Sequence, residues 1–246
     1  MSLSATLGIV SSIVLFIPAI LILLFKLITN RSFLALSAYY LVAGIYNLIS
    51  QNVLNSAVWF ARPLGIAVNL LDAPLMLLFL TFFSTSQAMT KRIIWGIWIF
   101  FAFEAVILLV DGFSVNAIRV ILGPDIVIII GLSFFFFQRN VRLAITNSKS
   151  LGKAIMSSSV LLSYTIFIVV YVFYYLIKNQ QYRKDSELVY YLISIVSALL
   201  MSAGIVIENK RIKKLDELKN TRKELATIYG KTAGLNKDSR FLKTGY

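Results

Sequence analysis

Residues 64–86 read LGIAVNLLDAPLMLLFLTFFSTS, twenty-three positions with a single charge, Asp72. A bilayer core about 30 Å thick is crossed by about 20 helical residues rising roughly 1.5 Å each. This stretch is long and apolar enough to do so. The pattern recurs on both sides, at roughly 5–25, 33–50, 93–110, 117–137, 155–177 and 188–207. The expected fold class is therefore all-α, a seven-transmembrane-helix bundle, in a multi-pass protein of the cell (inner) membrane. The first segment lacks a basic start, exceeds a signal-peptide core in length and precedes no small-residue cleavage site, so it is read as a span.

Composition leads the same way. Of 246 residues, 59% are hydrophobic and 14% charged, against about 45–50% and about 25% in soluble domains. Mean hydropathy is +0.82. Cys and His are absent, which excludes disulfides, thiolate or imidazole zinc sites, and Cys–His or Ser–His–Asp catalysis. With no nucleophile–base pair and no metal triad, an enzyme is not expected. The net charge of +13 does not indicate nucleic acid, because no basic-aromatic module flanks the spans. The basic residues fall in loops and tail, where topology and anionic lipid account for them.

Counting those residues sets a direction. The loops after spans one, three and five, with the C-terminal segment, hold nineteen Lys and Arg; the other three loops hold five, among them Arg62 and Arg119. The positive-inside rule then puts the C-terminus in the cytoplasm and the N-terminus outside. Trp59, Trp95, Trp98, Tyr174 and Tyr175 fall near the expected span ends, where interfacial aromatics gather. Two regions follow: the bundle, 1–207, and a basic cytoplasmic segment, 208–246. Within the latter, 208–229 reads as a helix continuing span seven, with Leu215, Leu218, Leu225 and Tyr229 at heptad-like spacing. Gly230 is the expected stop, and a flexible stretch follows.

Span three also carries a family pattern: Asn69-Leu-Leu-Asp72-Ala-Pro74. It resembles the third helix of the microbial (type 1) rhodopsins, most closely the sodium-pumping rhodopsins of flavobacteria. Asp72 and Pro74 match that pattern, whereas the pump's Asn and Gln positions fall on Val68 and Phe79. In span seven, Leu188-Val189-Tyr190 and Ser197 extend the likeness. The family's counter-ion position then falls on Ser194 and its retinal lysine on Ala198. Phe134–Phe137 and Gly152 are further points of similarity, and the family's pocket Trp and Pro fall on Phe167 and Tyr171. The resemblance implies a seven-helix fold. It does not imply the pigment, because a Schiff base needs a Lys amine inside the bundle and none is expected within spans six or seven. No covalent retinal cofactor is therefore expected; a non-covalent apolar ligand in its place remains open.

Three acids lie inside the spans, Asp72, Glu104 and Asp125, at about 12, 9 and 12 Å from the outer surface. An intramembrane carboxylate costs a few kcal/mol and usually faces a cavity or a partner. One reading makes them a proton or cation site, with Asn69 contributing. The other makes each a protonated group hydrogen-bonded to a neighbouring helix, and for Asp125 a cap beside Pro124. Ser157–Ser159, Ser163, Ser194, Ser197 and Ser202 suit close helix packing or the lining of a pocket. Lys210, Arg211, Lys213 and Lys214 suit a topology anchor or a lipid contact. The function expected is a non-photoactive, rhodopsin-like sensory or interaction protein acting through its tail; the alternative is a proton or cation transporter. The partners expected are membrane lipids, a cytoplasmic or membrane protein at residues 208–230, and a second copy of the chain.

Overall fold

The structure is a computed structural model. It describes the backbone of residues 3–51, 53–54, 58–147, 150–177 and 180–241, with side chains left out at 3, 58–62, 147, 175–176, 180–184 and 228–241. Among the described residues there are helices and no strands. We number the long helices α1 (Leu3–Leu24), α2 (Arg31–Ser50), α3 (Val58–Leu80), α4 (Gln87–Asp111), α5 (Val115–Asn147), α6 (Leu151–Tyr171) and α7 (Gln180–Phe241). Seven helices are long and apolar enough to cross a membrane.

Short polar connections and local caps set the helix boundaries. The Asn30 side chain accepts from Ser32 N at 3.0 Å to start α2, and Ser86 accepts from Met89 N at 3.2 Å to start α4. Each oxygen pairs a backbone donor that the first turn leaves without a partner. Gly112, at φ 64, ends α4 in a conformation that disfavours a Cβ.

In sequence order each helix packs on the next, and α1 packs on α7, closing a ring; α3 also touches α5 across it. The helix α4 is the most peripheral, with Ile93, Phe100 and Glu104 as its buried side chains. Large apolar residues such as Trp95, Leu109 and Phe113 point away from the bundle, as lipid-facing positions do. Because α4 begins at Gln87 rather than near 93, Trp95 and Trp98 lie two to three turns inside the helix, not at its end. Trp59 and Tyr175 lie outside the described side chains.

Three further expectations change. Pro124 stands well inside α5, so Asp125 caps nothing. A Pro there frees the carbonyl four residues earlier, and membrane helices tolerate that where a neighbour supplies donors. Next to that gap, Tyr171 of α6 donates to Arg119 O at 2.8 Å. Gly230 does not stop α7, which runs on to Phe241. An interior glycine costs only about 1 kcal/mol relative to Ala. Lys153, expected in a loop, sits in the first turn of α6, its Nζ donating to Phe82 O at 3.2 Å.

Phenylalanines fill the end of the bundle from which α7 projects, here called the tail end. Phe33 and Phe82 lie 4.7 Å apart, Phe79 and Phe83 5.3 Å, and Phe83 and Phe136 5.7 Å. Beside them α6 and α7 approach closely. A Cβ on Gly152 would lie 2.8 Å from Glu208 N, and one on Gly204 would lie 2.5 Å from Met156 Cγ. Ser159 donates across the same contact to Ser197 O at 2.7 Å.

Candidate functional site

The opposite end of the bundle is open. A cavity of about 300 Å³ descends between α2, α3, α5, α6 and α7. Its wall holds Tyr39, Tyr46, Tyr171, Tyr174, Tyr190 and Tyr191, half of the chain's twelve tyrosines, together with Asn47, Asn69, Asp72 and Glu187. Helical periodicity puts them there. Tyr39, Tyr46 and Asn47 recur on one face of α2, Asn69 and Asp72 on one face of α3, and Glu187, Tyr190 and Tyr191 on one face of α7. The exposed Glu187 marks the mouth. Nearby, Gln51 Nε2 donates to Tyr191 Oη at 2.5 Å, tying α2 to α7.

Asp72 sits at depth. Tyr164 of α6 donates to its Oδ1 at 2.8 Å, Tyr39 brings a second phenol to the same carboxyl, and Asp125 of α5 brings a second carboxyl. Asp125 is fully buried, and neither of its oxygens has a hydrogen bond of standard geometry. Glu104 of α4 lies within charge–charge range of Asp125, and its Oε1 is also unpaired. The three acids found in the sequence are therefore brought into one neighbourhood. No cation is among the groups acting on Asp72 or Asp125. Among the described residues, no three acids stand close enough to hold a metal ion together.

Asn69 shares the cavity wall, its Nδ2 donating to Gly65 O at 2.7 Å. Ser194 does not join the acids. It lines a smaller, inner void of about 20 Å³ with Tyr40, Ser159, Ser163 and Ser197. That is room for about one water molecule. Tyr39, Ala43, Phe167 and Tyr190 belong to both walls and so separate the two spaces. Tyr190 stacks on Phe167 at 5.5 Å. Beyond the inner void lies the phenylalanine cluster. Ala198, where the family resemblance would put a lysine, is fully buried.

At the tail end the basic cluster divides. Lys210, Lys213 and Lys214 are exposed, whereas Arg211 donates twice to Glu208, at 2.9 and 2.5 Å. Glu208 itself is fully buried. Leu215, Leu218 and Leu225 are exposed, and the Tyr229 side chain lies outside the described ones.

Sequence reasoning missed the tyrosines. The signal was available: Tyr46, Tyr171, Tyr174, Tyr190 and Tyr191 all fall in the halves of spans two, six and seven nearest one membrane face, with Tyr39 two turns deeper on the same face of span two as Tyr46. It missed Asn47 as well, whose buried Nδ2 has no hydrogen-bond partner. Compared with family models, with characterised proteins and with solved structures, the chain matches none, so its likeness to the microbial rhodopsins rests on its own residues alone.

Proposed function

We propose that the chain is a non-photoactive, rhodopsin-like membrane receptor, which takes a ligand into the tyrosine-lined cavity and signals along α7. The observation supporting this most is the shape of the cavity among the described residues. Polar and roomy above Asp72, it narrows to a one-water void and then meets packed phenylalanines. A concave space of this size with a few convergent polar groups is the form that ligand sites take. The same helix that supplies Glu187, Tyr190 and Tyr191 to the wall continues as the exposed tail. With nineteen of twenty-four Lys and Arg on the tail side, the mouth faces outward and the tail lies in the cytoplasm.

Filling the cavity tests the coupling. Val68→Trp occupies the space a ligand would take, and it is expected to change amide hydrogen exchange in α7 at residues 210–227. Unchanged exchange there, in a folded variant, would overturn the receptor reading. Purified protein mixed with all-trans retinal should give no visible Schiff-base band and no borohydride-trapped adduct; a trapped adduct would remove "non-photoactive" from the proposal.

The convergence of Asp72, Asp125 and Glu104 favours a second reading, proton or cation transport through these carboxyls. Liposome flux assays separate the two. Transport predicts sodium or proton movement that Asp72→Asn abolishes, and the receptor reading predicts none.

A further inference from the structure

We infer that the cavity recognises a small organic cation, an amine that also carries an uncharged hydrogen-bond acceptor; this deepens the receptor reading and rests on it. Charge comes first. Among the described residues, the wall holds two carboxyls, Asp72 and Glu187, and neither Lys nor Arg, while Asp125 adds a third carboxyl behind Asp72. An anionic ligand would meet repulsion at both the floor and the mouth. A cation supplies the charge that the Asp72–Asp125 pair lacks.

The tyrosines narrow the class to organic cations. Six rings around one space offer negative π-faces, which attract ammonium groups with an energy that grows as water is excluded. A bare metal ion has no use for that wall, is far smaller than about 300 Å³, and finds no set of three acids among the described residues. A purely apolar ligand would leave the carboxyls unpaired and desolvated.

Asn47 adds an independent requirement. It is 3% exposed, it lines the cavity nearer the mouth than Tyr39 and Ala43 on the same helix, and its Nδ2 has no partner. A buried donor without an acceptor is costly. A ligand with its ammonium at Asp72 and a hydroxyl or carbonyl oxygen toward the mouth satisfies both. A carboxylate in place of that oxygen would stand against Glu187.

Choline, dimethylbutanol and betaine test each part of this assignment on the full chain in nanodiscs. The first has ammonium and hydroxyl, the second is its uncharged carbon isostere, and the third replaces the hydroxyl with a carboxylate. Ethanolamine, which keeps the hydroxyl, serves as the primary-amine probe. Choline or ethanolamine is expected to bind saturably by calorimetry, with dimethylbutanol and betaine weaker by about tenfold or more. Asp72→Asn should weaken the cations by a similar factor and Asp111→Asn should not. If Asp72→Asn fails to fold, Tyr46→Leu should weaken choline while Tyr46→Phe, which keeps the ring, retains it. Dimethylbutanol binding as well as choline would overturn the cation assignment and leave the receptor intact. Binding by neither amine also overturns it. If sodium flux lost in Asp72→Asn accompanies that failure, the receptor reading falls with it.

Discussion

Tyr164 and Asp72, ninety-two positions apart in sequence, meet through a 2.8 Å phenol–carboxyl hydrogen bond that joins α6 to α3. Tyr164 is 1% exposed, so its hydroxyl has no bulk water to fall back on. Hydrogen bonds between membrane helices contribute about 0.6 kcal/mol on average and up to about 1.7. Tyr164→Phe should lower thermal stability by an amount in that range. A double-mutant cycle with Asp72→Leu, which has no acceptor for the phenol, should return most of the loss as coupling between the two residues. Additive single effects would mean that the bond adds no stability.

Asp125 should behave in the opposite way. Its carboxyl is buried beside Asp72 and neither oxygen has a hydrogen bond of standard geometry, and a buried polar group without one costs about 1–3 kcal/mol. Asp125→Val should therefore raise the melting temperature, and by removing the second carboxyl it should weaken amine binding. A gain in stability with a loss of binding is the signature of a site maintained for function. A lower melting temperature would instead make Asp125 a structural residue.

The contact of α6 with α7 depends on missing side chains. A Cβ on Gly152 would come within 3.0 Å of Glu208 at backbone N and Cα, and backbone cannot swing aside as a long side chain can. Gly152→Ala should cost about 1–3 kcal/mol by overpacking. Gly96→Ala is the control, since a Cβ there meets nothing within 4 Å. Equal stability of the two variants would contradict the close approach.

Orientation can be read chemically because the chain has no cysteine. Ser150 is a poor place for a label, being buried with its Oγ donating to Asn140 O at 3.0 Å. Val115 and Gln87 are exposed at opposite ends of the bundle. Single cysteines introduced there, Val115→Cys and Gln87→Cys, should differ: an impermeant maleimide added outside labels position 115 and not position 87. The reverse would turn the cavity mouth toward the cytoplasm.

The seven helices were legible in the sequence because each is long, nearly uncharged and bounded by polar loops; the expected segment 33–50 is α2 to within two residues. Segment five was read too short. Its apolar run ends near Phe137, but α5 continues through Arg139 and Arg142, and Arg139 reaches Thr85 outside the run. The acids were found because a carboxyl in an apolar stretch stands out by type alone. Their convergence was only half visible: equal depth follows from counting residues, but which faces meet depends on ring order and helix rotation. Tyrosine was missed because in a span it resembles any interfacial aromatic, and only the shared cavity brings Tyr174 and Tyr190 together. Glu208 was passed over as one acid in a charged tail, yet it is buried under Gly152.

The uninterrupted course of α7 has a mechanical consequence. The stretch Asp185–Thr227 spans 43 residues, about 65 Å, or twice the hydrocarbon thickness. Its close approach to α6, at Gly204 against Met156 and Gly152, is a point about which a tilt of the helix would turn. From there to Tyr190 in the cavity wall is a short arm of about 21 Å, and to Thr227 a long arm of about 35 Å. A rigid helix tilting about that point turns each ångström of displacement at Tyr190 into about 1.6 Å, in the opposite sense, at Thr227. In the proposed signalling the glycine pair would set the gear ratio, and moving the contact one turn along α7 would change how far the tail swings without altering a single residue of the cavity.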